Sequence, residues 1–347
     1  MSSPEAAALA SLGWDDEWTA AARATALDAT GLVPGRIARV DFGRVTVLTA
    51  TDTVRATPSP DDQPAAGDWV LLDGEKVHAI LPRRSAFVRG DPMEGTALGP
   101  QAVAANIDIV LVLQSLATGL NSRRLERELV LAYESGATPV VVLTKADLVD
   151  AAVVDSESEL AAEATPGVTV LVVSSSTGQG IDDIRALTHD NRTVALIGAS
   201  GVGKSTLVNH LVGADVQETG AVRGSDQRGR HTTTARELVL IPGGGVLIDT
   251  PGLRAVSLWE GDEGLSRAFA DVEELAAQCR FSNCSHTLEP GCAVRAAMER
   301  GELDPARFEH YLRLDAELDD AAARRAERKR LGRMMSKAQR QYYRGRR

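Results

Sequence analysis

The spacing of apolar and polar positions divides the chain into stretches of different texture. Residues 1–33 are alanine-rich with helical spacing, and Trp14 and Trp18 stand four apart as one packing face. From 34 to 89 the rhythm shortens to strand-like runs at 36–40, 45–49, 53–56, 69–72 and 77–81. Phe42-Gly43, a polar loop over 58–67 and Asp73-Gly74 punctuate them. Short strands closed by such turn signals predict a small five-stranded barrel of the OB type, although periodicity alone does not separate it from an SH3-like barrel.

Farther on, apolar runs at 107–113, 139–143, 168–173 and 194–197 are interleaved with helical spacing at 123–135, 181–187 and 207–212. Nearly continuous Val, Ile and Leu mark strands buried on both faces, so an α/β domain with a parallel sheet is expected over 100–255. Two shorter runs, 237–241 and 245–248, have the look of a hairpin. From 256 to 323 the chain becomes helical and charged, and 324–347 form a basic tail.

Composition narrows the class. The chain has 347 residues and 44% hydrophobic content, enough for two or three cored domains. The N-terminus carries acids and lacks the basic start of a secretory signal, and no apolar run is long enough to span a membrane. A cytoplasmic monomer without membrane contact is expected. The net charge of −10 is uneven: eleven Lys/Arg stand against Glu327 alone between Arg324 and Arg347, so the tail carries +10 and the rest −20. A basic tail on an acidic body fits a localised polyanion contact or a solvated end.

The decisive chemistry is the run Gly198, Ala199, Ser200, Gly201, Val202, Gly203, Lys204, Ser205, Thr206, which fits the P-loop pattern between an apolar strand and an amphipathic helix. Backbone N–H groups at a helix N-terminus cradle phosphate, Lys204 adds charge for the outer phosphates, and Ser205 offers a hydroxyl to Mg²⁺. Downstream, Asp249-Thr-Pro-Gly252 ends a strand, which suits Asp249 to hold Mg²⁺ through water and Gly252 to sense the third phosphate. Upstream, Thr144, Lys145, Ala146 and Asp147 end another strand. An ionised Asp147 is acceptor-only and pairs with the ring N–H and amino group of guanine, whereas adenine leaves it unpaired. Lys145 would pack along the base, and Thr144 replaces the commoner Asn. The next strand ends at Ser174 and Ser175, which fit a loop over the base edge. An ordinary GTPase has its guanine motif after the P-loop; here it comes first. The domain is circularly permuted, its former ends joined near 189–192.

The chain's three cysteines, with one histidine, form Cys279-x4-Cys284-x-His286-x5-Cys292. Three thiolates and an imidazole make a closed tetrahedral set for one structural Zn²⁺.

The rotated motifs, the barrel before them and the cysteine cluster after them make roughly residues 34–300 similar to the RsgA-type GTPases. The resemblance implies an α/β, circularly permuted P-loop GTPase domain flanked by an OB-like barrel and a zinc-binding helical domain. It also implies GTP/GDP and Mg²⁺ as cofactors, and slow hydrolysis stimulated by the small ribosomal subunit late in its assembly. That subunit and its rRNA are the expected partners, with other assembly factors as further candidates. Gly229-Arg-His-Thr-Thr-Thr234 is close to the family's switch I motif, so Thr232 or Thr233 is expected on Mg²⁺. Leu253 stands where Ras-like enzymes carry a water-orienting Gln. His231 is therefore the candidate for positioning water or stabilising charge, alongside Lys204 and Thr233, with Arg228 and Arg230 as alternatives. A P-loop kinase or ATPase is disfavoured by Asp147 and the switch motifs. A scaffold with structural GTP and another permuted ribosome-assembly GTPase remain alternatives.

Overall fold

The computed structural model describes residues 3–26, 31–89, 101–213, 237–249 and 262–344. Two helices open the chain, α1 (Ser3–Ser11) and α2 (Asp16–Thr25). The expected single helical stretch is broken between them, where Gly13 takes a positive φ of 90°. Asp15 restarts the helix by accepting the Trp18 N–H. Trp14 therefore lies in the turn, yet its ring and that of Trp18 both pack on Trp69.

The barrel follows: β1 (Val33–Asp41), β2 (Arg44–Thr49), β3 (Thr53–Ala56), β4 (Trp69–Asp73) and β5 (Lys76–Ile80). β1 pairs with β2 and β4, β2 with β3, and β4 with β5, all antiparallel. A parallel bridge from Thr57 to Lys76 closes β3 on β5. That closure yields the strand circuit 1-2-3-5-4 of a five-stranded Greek-key barrel, which periodicity left open. Ile37, Val45, Val47, Ala56, Val70, Leu72 and Val77 fill it. A hairpin absent from the sequence expectation comes next, β6 (Ala86–Arg89) with β7 (Gln101–Ala105).

The α/β part comprises β8 (Ile109–Ser115), α3 (Ser122–Glu134), β9 (Thr138–Thr144), α4 (Ala151–Ala164), β10 (Thr169–Val172), α5 (Ile181–Leu187), β11 (Thr193–Gly198), α6 (Lys204–Val212), β12 (Glu237–Leu240) and β13 (Val246–Asp249). In space the strands run β10-β9-β8-β11-β13-β12, with β12 alone antiparallel. The chain steps outward from β8 to β10 through α3 and α4, then returns through α5 to β11 and onward through α6. Right-handed crossovers in opposite directions put the two helix pairs on opposite faces. Side-chain alternation agrees. Val110, Val112, Val141 and Leu143 face the α3/α4 layer, while Ile109, Leu111, Leu113, Val140 and Val142 face α5 and α6. The barrel is joined to this sheet through β1 and β12, giving one 11-stranded sheet.

The last helices are α7 (Asp262–Ala268), α8 (Ala270–Ala276), α9 (Ala293–Arg300) and α10 (Pro305–Arg344). Leu265, Phe269, Val272, Phe308, Leu314 and Leu318 share a core with Leu125 and Leu129 of α3. α10 passes through residue 323 without a break, and Ala321 is its last buried residue among those described.

Candidate functional site

The P-loop leaves β11 at Gly198 and enters α6 at Lys204. Its glycines are dictated by geometry: Gly203 has a φ of 108°, and a Cβ on Gly198 would lie 2.6 Å from the Leu113 carbonyl oxygen. Lys204 Nζ folds back onto the loop, donating to the Gly198 and Ala199 carbonyls at 2.7 and 2.6 Å. Ser205 is half-buried in the first turn of α6, and Thr206 beside it is exposed. Asp249 ends β13, the strand beside β11.

The base-side loop meets the phosphate loop directly. The Thr144 hydroxyl, buried at the end of β9, lies 2.6 Å from the Val202 carbonyl and 3.1 Å from that of Gln114. Lys145 takes a left-handed φ of 62° and donates from Nζ to the Gly201 carbonyl at 2.6 Å. Two loops 56 to 58 residues apart in the chain are thus latched together. Thr144 points its hydroxyl at the P-loop, so the side chain in the Asn position ties loop to loop.

Asp147 is exposed and oriented. Its Oδ1 accepts from the Ser174 hydroxyl at 2.6 Å, and this bond, followed by one from Ser176, holds its carboxyl below the usual carboxylate range. Ser174 is itself fully buried and also takes the Thr177 N–H. Ala146 donates its N–H to the Val173 carbonyl, fixing the two loops side by side. Ser175, half-buried, follows in the same turn. Ser176 lies in the same 173–178 run that fits a loop over the base edge, whereas Gln114 escaped the sequence reading because it belongs to no motif. His231, Thr232, Thr233 and Gly252, with Arg228 and Arg230, lie outside the described residues.

Between α8 and the start of α9, Cys279, Cys284, His286 and Cys292 converge, their ligand atoms within 4.8 Å of one another. His286 Nδ1 is 3.5 Å from both Cys279 Sγ and Cys292 Sγ, and the two sulfurs are 3.9 Å apart. Tetrahedral zinc with its usual bond lengths requires edges of about 3.5 Å for N···S and about 3.8 Å for S···S, so the Cys279, His286 and Cys292 edges fit, and Cys284 closes the set within 4.8 Å. Backbone N–H groups of Ala293 and Arg295 point at the sulfurs of Cys279 and Cys292, donors that favour the thiolate form.

Comparison with known proteins agrees with this geometry. The family model for RsgA GTPase matches residues 80–259. The chain belongs to the RsgA GTPase family. A curated relative from Streptomyces avermitilis, named small ribosomal subunit biogenesis GTPase RsgA, is 48% identical over 87% of this chain and 83% of its own length. One of the same name from Xanthomonas axonopodis pv. citri is 41% identical over 94% of this chain and 93% of its own. The crystal structure of YjeQ from Thermotoga maritima shares the fold with a TM-score of 0.63 at 24% identity, covering 83% of this chain and 99% of that one. That of YloQ, described as a circularly permuted GTPase, gives 0.60 at 23% identity, with 84% and 97% coverage. An ABC transporter model also matches residues 181–343, a range that includes the P-loop common to both nucleotide-binding classes. Among the described residues no helix is long and apolar enough to cross a membrane.

Proposed function

We propose that this GTPase serves the biogenesis of the small ribosomal subunit, as the names of its relatives describe, that it works in the cytoplasm, and that it hydrolyses GTP as a timing step stimulated by that subunit. The observation that carries the reading is the latch between the base-side and phosphate loops. It sets the loop that carries Asp147 beside the P-loop, which supports a single nucleotide site built from motifs in rotated order.

In that site Asp147 reads guanine, Lys145 flanks the base, and residues 198–206 hold the phosphates. Ser205 and Asp249 would hold Mg²⁺, joined by Thr232 or Thr233, which neutralises charge on the phosphates. His231 orients water or stabilises charge, because Leu253 has no group for either task. The nucleotide domain is assigned to 100–255, between an N-terminal extension over 1–33 with a barrel over 34–89 and a helical domain over 256–323. The four-donor cluster would hold one zinc ion that staples the helical domain; with every position filled by protein it serves structure. The barrel and the basic tail at 324–347 contact rRNA, the tail through phosphates.

Single-turnover hydrolysis with and without purified small subunits tests the reading. The subunit should accelerate turnover, and its affinity should fall steeply with salt, less steeply after removal of 324–347. His231→Ala should keep nucleotide affinity and lower stimulated turnover by about 10²-fold or more. Equal hydrolysis with and without subunits would favour a scaffold whose GTP is structural. Wild-type stimulated turnover in His231→Ala would hand the catalytic group to the ribosome.

A further inference from the structure

His286 occupies a backbone position that residues with side chains avoid. Its φ is 60°, a left-handed conformation that persists only where the surroundings impose it. The same residue must bring its imidazole against sulfurs that arrive from the end of α8 and the start of α9.

One side chain brackets it. Glu289 reaches back across the loop between Cys284 and Cys292. Its Oε1 accepts from the Ser285 N–H at 3.1 Å and from the Ser285 hydroxyl at 2.6 Å. Its Oε2 accepts from the N–H groups of Thr287 and Leu288, both at 3.1 Å. Because the Ser285 proton is committed to the carboxylate, the Thr287 hydroxyl donates to Ser285 Oγ at 2.8 Å. These donors stand on both sides of His286 in the chain, so one carboxylate fixes the backbone before and after it. With four donors on two oxygens, Glu289 holds the loop and stands outside the four-donor set. Two further contacts complete the frame. The Arg280 N–H donates to the Gly291 carbonyl at 3.1 Å and shuts the base of the loop. The Phe308 ring of α10 meets the His286 ring edge to face, with centroids 5.8 Å apart. Held in this way, His286 presents Nδ1 to the sulfurs, 3.5 Å from both Cys279 Sγ and Cys292 Sγ.

We propose that Glu289 is the positioning residue of the metal cluster: it pins the 285–288 loop so that His286 offers Nδ1 to the ion bound by the three cysteines. A loop ordered by its own carboxylate need not be ordered by the metal, so Glu289 raises affinity through pre-organisation. The proposal rests on the zinc assignment above.

Competition of the full chain against a chelator of known affinity measures Zn²⁺ binding, and Co²⁺ loaded in its place reports coordination by absorption. Glu289→Ala should bind Zn²⁺ roughly ten- to a hundredfold more weakly than wild type, the range expected when support behind a ligand is lost. Its Co²⁺ form should keep the thiolate charge-transfer bands while the ligand-field bands weaken, because the imidazole is released and the sulfurs are not. Glu289→Gln keeps one acceptor oxygen and should fall between the two, and it carries the comparison if Glu289→Ala does not fold. Leu288→Ala trims an exposed side chain of the same loop, keeps the N–H that Glu289 binds, and should match wild type. Long-range proton–nitrogen NMR of the zinc-loaded wild type should find the metal on His286 Nδ1 and a proton on Nε2. Wild-type Zn²⁺ affinity and Co²⁺ absorption in both Glu289 variants would overturn the proposal. So would metal on Nε2 in wild type, or a loss in Leu288→Ala as large as that in Glu289→Ala. A wild-type chain that takes up neither Zn²⁺ nor Co²⁺ would instead remove the metal site itself, and the proposal with it.

Discussion

Asp147 and Glu126 are both gripped by hydrogen bonds, and the contrast between them separates recognition from architecture. Asp147 stands exposed at the end of β9, held by hydroxyls from Ser174 and Ser176. Glu126 is buried in α3, and both its oxygens are taken: Arg307 binds Oε1 at 2.8 Å and His310 Nδ1 binds Oε2. Arg307 is saturated in turn by Asp271 and the carbonyls of Ala164 and Ala268, and its guanidinium lies over Phe269. An exposed carboxylate with a fixed direction has acceptor capacity for a ligand. A buried one with both oxygens engaged joins α3, α4, α7, α8 and α10 into a unit and faces no ligand outside.

The strongest way to break the architectural half is through the metal cluster. Cys284→Ser removes one of four donors, and metal affinity in such sites is folding free energy. Metal content should drop from about one per chain towards zero, and amide exchange should rise across 270–300. Nucleotide affinity should remain near wild type, since no ligand residue touches the P-loop. Full protection of 270–300 in metal-free protein would show that the shared apolar core suffices.

Next in size is Arg307→Ala. It leaves Glu126 buried without its cation, a change that typically costs about 3–5 kcal/mol. Denaturation should register that loss, with guanine selectivity unchanged. A Glu126→Gln, Arg307→Met pair should recover most of it, because breaking one side of a buried pair costs more than replacing both. Additive losses would mean that the ion pair itself, and not the orphaned charge, is what stabilises the dock.

This contrast also explains what could be seen in the sequence. The P-loop, Asp249 and the Thr144–Asp147 run lie on loops at strand ends, where function is written in contiguous residues and strict glycine positions such as Gly203. The strands around them were legible because β8, β9 and β11 are buried on both faces and read as unbroken apolar runs. Glu126, Asp271, Arg307 and His310 span 184 residues and have no shared spacing, so only packing brings them together. Arg36 was hidden for the same reason. It is buried, and it donates to carbonyls of Leu12, Gly67 and Asn106, tying the first helices to the barrel and the sheet. The β6–β7 hairpin was missed because Ala86, Ala102, Ala104 and Ala105 give little strand signal. The break after α1 was missed because alanine favours helix on both sides of it.

On the recognition side the larger expected effect is Asp147→Asn. The amide offers a donor where guanine presents its own donors, so GTP should bind more weakly by about 10²-fold or more, while xanthosine nucleotides gain a partner in place of the exocyclic amino group. Stability should not change, which distinguishes this carboxylate from Glu126. Because Ser174 and Ser176 hold Asp147 below the usual carboxylate range, it stays ionised as pH falls through that range. The difference in GTP affinity between wild type and Asp147→Asn should therefore be flat between about pH 5 and 8. Unchanged GTP affinity in Asp147→Asn would remove this residue from the base site.

The smallest effect distinguishes holding a carboxylate from merely having one. Ser174→Ala removes the buried hydroxyl that donates to Asp147 Oδ1 and accepts from Thr177 N–H. Asp147 keeps its charge and its second hydroxyl partner in Ser176, so guanine should still be preferred over xanthine. What is lost is direction: the carboxylate samples orientations that do not face both donors of the base at once. One hydrogen bond of this kind contributes about 0.5–1.5 kcal/mol, so GTP and GDP affinity should fall together by roughly three- to tenfold. GTP and GDP must fall equally, because the base is common to both and the phosphates are held elsewhere. Ser174→Thr, which retains the hydroxyl, should restore most of the loss if the buried pocket admits the extra methyl. A drop confined to GTP would mean that Ser174 acts through the switch loops, and the base-side loop would then be part of the phosphate sensor instead of a fixed wall of the site.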